Sequence, residues 1–255
     1  MLSLLAELTL DAWLVAKFAP QAGITLLTGR TWERTVSGLL YRPGFTRRQG
    51  PGCVTLFGYP SASGVNHEID GAADGWRGSV IVESKAIAGG IVKGDVTLFH
   101  FKVMDFYQKQ ISKASREKWW PLLCSATPTP MHARATALSM GVLLCDPARL
   151  PLPVLFRAAS RPAADMHLPE PLLQEIVRLG ERALLPLQER WRYSPATGQI
   201  SFSPRDWTSA DITDLLWLED ELSGCLLDLY ASHRAGVLYD RAINLIWRAH
   251  KAAAA

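Results

Sequence analysis

Residues 66–86 read NHEIDGAADGWRGSVIVESKA, and the fold turns on this stretch. Asp74-Gly75 and Arg77-Gly78 bracket a tight return, because glycine reaches the backbone angles that a hairpin turn needs. Residues 67–71 are expected as the first strand and 79–86 as the second. Val80, Ile81 and Val82 suit a pleated, buried surface. Side chains alternate along a strand, so Glu83 and Lys85 point the same way. Asp70 and Glu83 lie equally far from the turn. A hairpin in that register sets them opposite each other, with Cβ atoms about 4.5–5.5 Å apart. Two facing carboxylates repel and are costly to bury. Lys85 offsets part of that cost, and a divalent cation offsets more. The plainer alternative makes Glu83 and Lys85 an edge-strand charge pair and Asp70 a turn acid.

Upstream, residues 3–18 form an expected helix with Leu4, Leu5, Leu8, Trp13 and Phe18 as its apolar surface, ended by Pro20 and Gly23. Residues 24–27 are short and apolar. A second helix spans 31–40, TWERTVSGLL, capped by Thr28 or Thr31. Trp32, Val36, Leu39 and Leu40 make its buried face, and Glu33 stands at the border of that face. Without a ligand, Glu33 is a first-turn acid favoured by the helix dipole. Residues 41–52, YRPGFTRRQGPG, read as a basic loop whose Arg42, Arg47 and Arg48 are either solvated or near a phosphate. Residues 53–57, CVTLF, are expected as a strand.

Downstream, residues 95–118 predict a long helix with Leu98, Phe101, Met104, Phe106, Ile111 and Trp119 toward the core. Lys102, Lys109, Lys113, Arg116 and Lys118 leave its other side cationic. That side is an ordinary solvated face or, taken as a group, the wall of a nucleic-acid groove centred on Gln108 and Lys109. Strand 120–126, helix 132–140 and strand 141–145 follow, and with the hairpin they define an α/β class. Arg134 and His132 open that helix at a strand-to-helix junction, a usual place for ligand contacts; His132 reads as structural. Residues 151–171 are proline-rich and read as a linker. Helices are expected over 170–191, broken by Pro186, and over 209–233 and 237–250, with a small hairpin about Gly198. These helices carry no catalytic constellation. Their leucines suit packing, a homo-oligomer interface or a partner protein. The expected organisation is an N-terminal helix over 1–22, an α/β domain over 23–156, a linker over 157–171 and a helical region over 172–255.

The net charge of +3 permits a phosphate-rich partner without requiring one. Cys53, Cys124, Cys145 and Cys225 form no C-x-x-C pair, so neither a zinc site nor a disulfide framework is expected, and a reducing cytoplasm suits them. The first twenty residues lack a basic lead, and Glu7 and Asp11 interrupt their apolar run. They read as neither an export signal nor a membrane span.

An Asp, a turn, then Glu-x-Lys at the end of an apolar strand resembles the PD-(D/E)XK nuclease superfamily. The upstream helix bearing Glu33 and the HEID spelling around Asp70 are similar to its Mrr-type and Holliday-junction-resolvase branches. Ile69 stands where the family's naming proline would be. The resemblance covers residues 23–156 and implies a restriction-endonuclease-like core, a mixed sheet flanked by helices. It implies a divalent-metal-dependent nuclease using Mg²⁺ or Mn²⁺, with Asp70, Glu83 and Glu33 as metal ligands and a backbone carbonyl of Val82 or Ser84 as a further one. Lys85 would orient or help deprotonate the attacking water. His67 and Glu68 fall outside that ligand set. Lys102, Gln108, Lys109, Lys113, Arg47, Arg48 and Arg134 become the contacts to DNA. The expected role is a DNA endonuclease, as an effector in a defence or mobile-element system. The competing role is an inactive nuclease-like fold kept as a binding or assembly subunit.

Overall fold

The apolar run at residues 80–82 becomes the middle of a five-stranded sheet in the computed structural model, which describes residues 1–23, 29–75, 78–110, 118–160, 170–185, 189, 191–194, 196–197, 199–202 and 208–252. The strands are β1 (Phe45–Gln49), β2 (Gly71–Gly75), β3 (Gly78–Lys85), β4 (Trp119–Ser125) and β5 (Leu143–Cys145), adjacent in that order. β1, β2 and β3 pair antiparallel; β3, β4 and β5 pair parallel. β3 therefore joins two unlike halves of the sheet. Its residues from Gly78 to Ser84 are all buried, as a strand covered on both faces must be.

Strand alternation sorts the two faces. Ala73, Val80, Val82, Leu122 and Cys124 face α1 (Leu2–Phe18) and α2 (Gly29–Leu39). Ala72, Ile81 and Leu123 face α3 (Lys93–Gln110) and α4 (Met131–Met140). On the first side α5 (Leu152–Ala159), α6 (Glu170–Ala183) and α7 (Ser209–Ala252) complete the covering layer. Leu5, Leu8 and Leu14 share one buried cluster with Leu155, Leu179, Leu215 and Leu222, so the terminal helices pack on the sheet layer. Among the described residues no helix is long and apolar enough to cross a membrane.

The hairpin register agrees with the sequence reading, since Gly71 pairs with Val82 and Gly75 with Gly78. Gly78 has φ +145°, and a Cβ there would meet the Lys118 carbonyl oxygen at 2.2 Å, which restricts this position to glycine. The turn at residues 76–77 lies outside the described residues, as do residues 24–28, Lys113, Arg116 and Pro186.

Several expected elements shift. β2 begins at Gly71, and residues 67–70 approach it through a single bridge between Cys53 and Ile69. The strand expected at 53–57 does not form, because Phe57 adopts φ +51° and the chain turns back at Leu56 and Tyr59. Its place is taken by β1, within the segment read as a loop. β1 buries Phe45 and exposes Arg47 and Arg48, a charged edge that discourages further strand pairing. Of the helix expected over 95–118, α3 is described from Lys93 to Gln110, with residues 111–117, Ile111 among them, outside the described residues, and it presents a different face. Val96, Phe99, Val103 and Phe106 are buried, whereas Leu98 and Phe101 are exposed. α5 occupies the start of the expected linker, and α7 runs unbroken where two helices were expected. A short antiparallel pair, β6 (Trp191–Ser194) and β7 (Gln199–Phe202), forms the small hairpin anticipated about residue 198.

Candidate active site

The parallel half of the sheet ends on the same side as Glu83, Ser84 and Lys85, and the carboxyl ends of parallel strands are where open α/β sheets bind ligands. α2 is pinned beside this end. The buried Trp32 indole N–H donates to the Cys124 carbonyl at 3.1 Å. Gly71 leaves the space that the Leu40 side chain needs, since a Cβ there would lie 2.8 Å from Leu40 Cδ1. With α2 seated this closely, Glu33 joins the acids at the strand ends.

Each acid is held differently. Asp70, one residue before β2, donates its N–H to the Val82 carbonyl at 3.2 Å. Its carboxylate accepts from the Ser84 N–H at 2.6 Å and from the Ser84 hydroxyl at 2.8 Å. Burial raises the Asp70 pKa, the Glu83 charge raises it further, and the Ser84 hydrogen bonds only partly oppose this. Glu83 is 3% exposed. Its Oε1 accepts from Lys85 Nζ at 3.0 Å, and Lys102 Nζ lies 2.9 and 3.1 Å from its two oxygens. Burial works against the Lys85 ammonium, but the Glu83 carboxylate outweighs it and the Lys85 pKa is raised. Glu33 is raised by burial and by the charges of Asp70, Glu68 and Glu83 in turn, so four acids share one electrostatic neighbourhood.

The strongest departure from the sequence reading is Lys102. It was expected on a solvated or DNA-facing side of α3. Instead its ammonium bonds Glu83 and also donates to the Glu68 carbonyl at 2.9 Å. The signal was present in the spacing: Lys102 stands three residues after Phe99 and four before Phe106, both buried, so all three share a helical face. Ser84 was expected to lend a carbonyl; its observed part is to fix Asp70 through two donors.

Arg134 was also misplaced. It is buried and ion-paired to Asp146 at 2.5 Å and to Glu219, so no phosphate reaches it. Arg47 donates to the Phe57 carbonyl and covers that ring. Arg48 donates to the carbonyls of Leu40, Arg42 and Phe45, closing the chain after α2. Gln108 and Lys109 are exposed on α3, as a groove contact requires. Gln108, His67, Phe101 and Met104 line a cavity of about 490 Å³. His67 Nε2 lies 2.7 Å from Asp105, whose other partner is Ser63, so His67 is tied to α3. His132 is exposed on α4.

Among the described residues no group of three or more His, Cys, Asp or Glu side chains is gathered closely enough to hold a metal ion. The expected three-carboxylate set of Asp70, Glu83 and Glu33 is therefore not assembled. The physical reason is that each buried carboxylate has already found donors, Ser84 for Asp70 and two ammonium groups for Glu83. The chemistry still suits a hard divalent cation. All the acids supply oxygen, Asp70 and Glu83 feel each other's charge, and Mg²⁺ needs few protein ligands because it keeps several waters. No family model, curated protein or solved structure matches the chain.

Proposed function

We propose that this protein is a divalent-metal-dependent nuclease that hydrolyses phosphodiester bonds, built on a restriction-endonuclease-like core. The observation that carries the reading is the arrangement at the end of β3. Glu83 and Lys85 stand together on one face of that strand, Asp70 is anchored to Ser84 between them in sequence, and Glu33 borders the set from α2. A bound Mg²⁺ or Mn²⁺ would offset phosphate charge and lower the pKa of its water. Asp70 and Glu83 would hold that ion, Ser84 keeping the Asp70 carboxylate oriented. Lys85, whose raised pKa keeps it cationic, would stabilise charge growing on the phosphate. Glu33, beside these acids on α2, would be a further oxygen ligand, directly or through a metal-bound water. DNA is the proposed substrate, with Gln108 and Lys109 as contacts on α3, and an effector role in defence or in a mobile element fits such an activity.

A second reading keeps the fold without the chemistry. It is favoured by Glu83, whose oxygens are already occupied by Lys85 and Lys102. In that case the protein is a binding or assembly subunit, and the helices α5–α7 carry its contacts. Labelled single-stranded, duplex and branched DNA, incubated with and without Mg²⁺ or Mn²⁺, separates the two. Metal-dependent cutting that Asp70→Ala, Glu83→Ala and Lys85→Ala each abolish supports the nuclease. Cutting by all three variants at the parent rate would falsify the site assignment, and no cutting of any substrate by the parent supports the assembly reading.

A further inference from the structure

Glu83 is gripped from two elements. Lys85 rides on the same strand, two residues away. Lys102 reaches across from α3, places its ammonium against both carboxylate oxygens at 2.9 and 3.1 Å, and is itself tied to the Glu68 carbonyl. Lys102 is largely withdrawn from water, its side chain 15% exposed against 30% for Lys85. The Glu83 oxygens that a cation would use are thus filled by ammonium hydrogens.

The charges set the consequence. Asp70, Glu83, Lys85 and Lys102 together sum to zero, while Glu33 and the exposed Glu68 act from the rim, where water screens them. Placing a divalent ion on that neutral set makes it strongly positive in a site mostly removed from water, which is unfavourable. A phosphodiester supplies compensating negative charge. Loss of the Lys102 charge does the same permanently. Lysine suits such an exchange, because its ammonium is a point charge on a flexible stem that can rotate away, whereas a guanidinium fork holds its carboxylate in a fixed plane.

The geometry points to Lys102 as a positioning residue that competes with the metal: it holds Glu83 in the metal-free protein, yields to the divalent ion, and so couples metal loading to the arrival of a nucleic-acid phosphate. This rests on the nuclease reading above and adds to it an order of assembly. Free metal alone loads poorly, and metal with substrate loads well.

The test is Mn²⁺ binding by calorimetry, for the parent and for Lys102→Met, each with and without a nuclease-resistant phosphorothioate oligodeoxynucleotide. Lys102→Gln serves as a second variant, since it keeps a donor for Glu83 and for the Glu68 carbonyl but carries no charge. The parent is expected to bind Mn²⁺ weakly alone and at least about tenfold more tightly with the oligonucleotide. Both variants are expected to bind Mn²⁺ alone at least about tenfold more tightly than the parent, with a smaller gain from the oligonucleotide. A lysine that merely supported the fold would leave affinity unchanged or reduce it. If the parent binds Mn²⁺ and both variants bind it equally or more weakly, the competition is refuted and the nuclease reading stands. If no form binds Mn²⁺ under either condition, the nuclease reading fails and the competition with it.

Discussion

Two ion clusters in this molecule are built from the same ingredients and differ in what they can do. In the first, Arg134 of α4 lies between Asp146, just after β5, and Glu219 of α7; all three are 3% exposed or less. In the second, Glu83 lies between Lys85 and Lys102 at the end of β3, and its cations keep partial access to water. A guanidinium closed in on all sides is a permanent fastening between the sheet layer and the C-terminal helix. An ammonium at the mouth of a site is exchangeable. Burial of the cation, rather than the presence of an ion pair, separates a structural cluster from a candidate reactive one.

The largest effect that tests this contrast is on stability. Arg134→Met leaves Asp146 and Glu219 buried without a counter-charge and is expected to destabilise the fold by about 3–5 kcal/mol. Lys102→Met leaves Glu83 with Lys85 and is expected to lose less than about 2 kcal/mol. Urea unfolding of both proteins checks the pair, and equal losses would erase the distinction.

Next in size is Asp70→Asn. It removes a carboxylate whose burial and whose neighbour Glu83 both disfavour its charged form. DNA cleavage is expected to fall by at least about a hundredfold. The melting temperature near neutral pH is expected to hold or rise, as when a strained functional group is relieved. A cleavage rate near the parent's, or a clear drop in melting temperature, would count against Asp70 as a site carboxylate.

A smaller effect is the pH dependence of stability. Asp70, Glu33 and Glu219 all have pKa values raised in the folded protein, with burial the leading cause for each. A raised carboxylate binds protons more strongly folded than unfolded. Its stabilising contribution is therefore present below the ordinary carboxylate pKa and is lost as pH rises through the raised value. Stability from these groups should decline across that window, and Asp70→Asn should flatten the decline. Chemical denaturation at a series of pH values measures it, and an unchanged slope in the variant would contradict the assignment.

The smallest expected change is for Lys109→Ala, an exposed position on α3. Thermal stability should not move. DNA binding should weaken evenly across sequences, with the slope of log affinity against log salt smaller in magnitude by about one. An unaltered slope places the nucleic acid elsewhere.

The sequence alone determined whatever depends on neighbours along the chain. The hairpin register follows from turn glycines and a β-branched run, and the shared direction of Glu83 and Lys85 follows from strand alternation. The seat of α2 follows from the spacing of Trp32, Val36 and Leu39, and the α/β class from the order of its strands and helices. Tertiary structure alone decided which charge meets which. Lys102 reads as a solvated or DNA-facing cation and Arg134 as a ligand contact at a strand-to-helix junction; helical spacing can place Lys102 on the face of Phe99 and Phe106, but nothing local to either residue names a carboxylate partner many residues away. Only the packing of α3 over β3, and of α7 over α4, brings a carboxylate to each and makes burial of that charge tolerable.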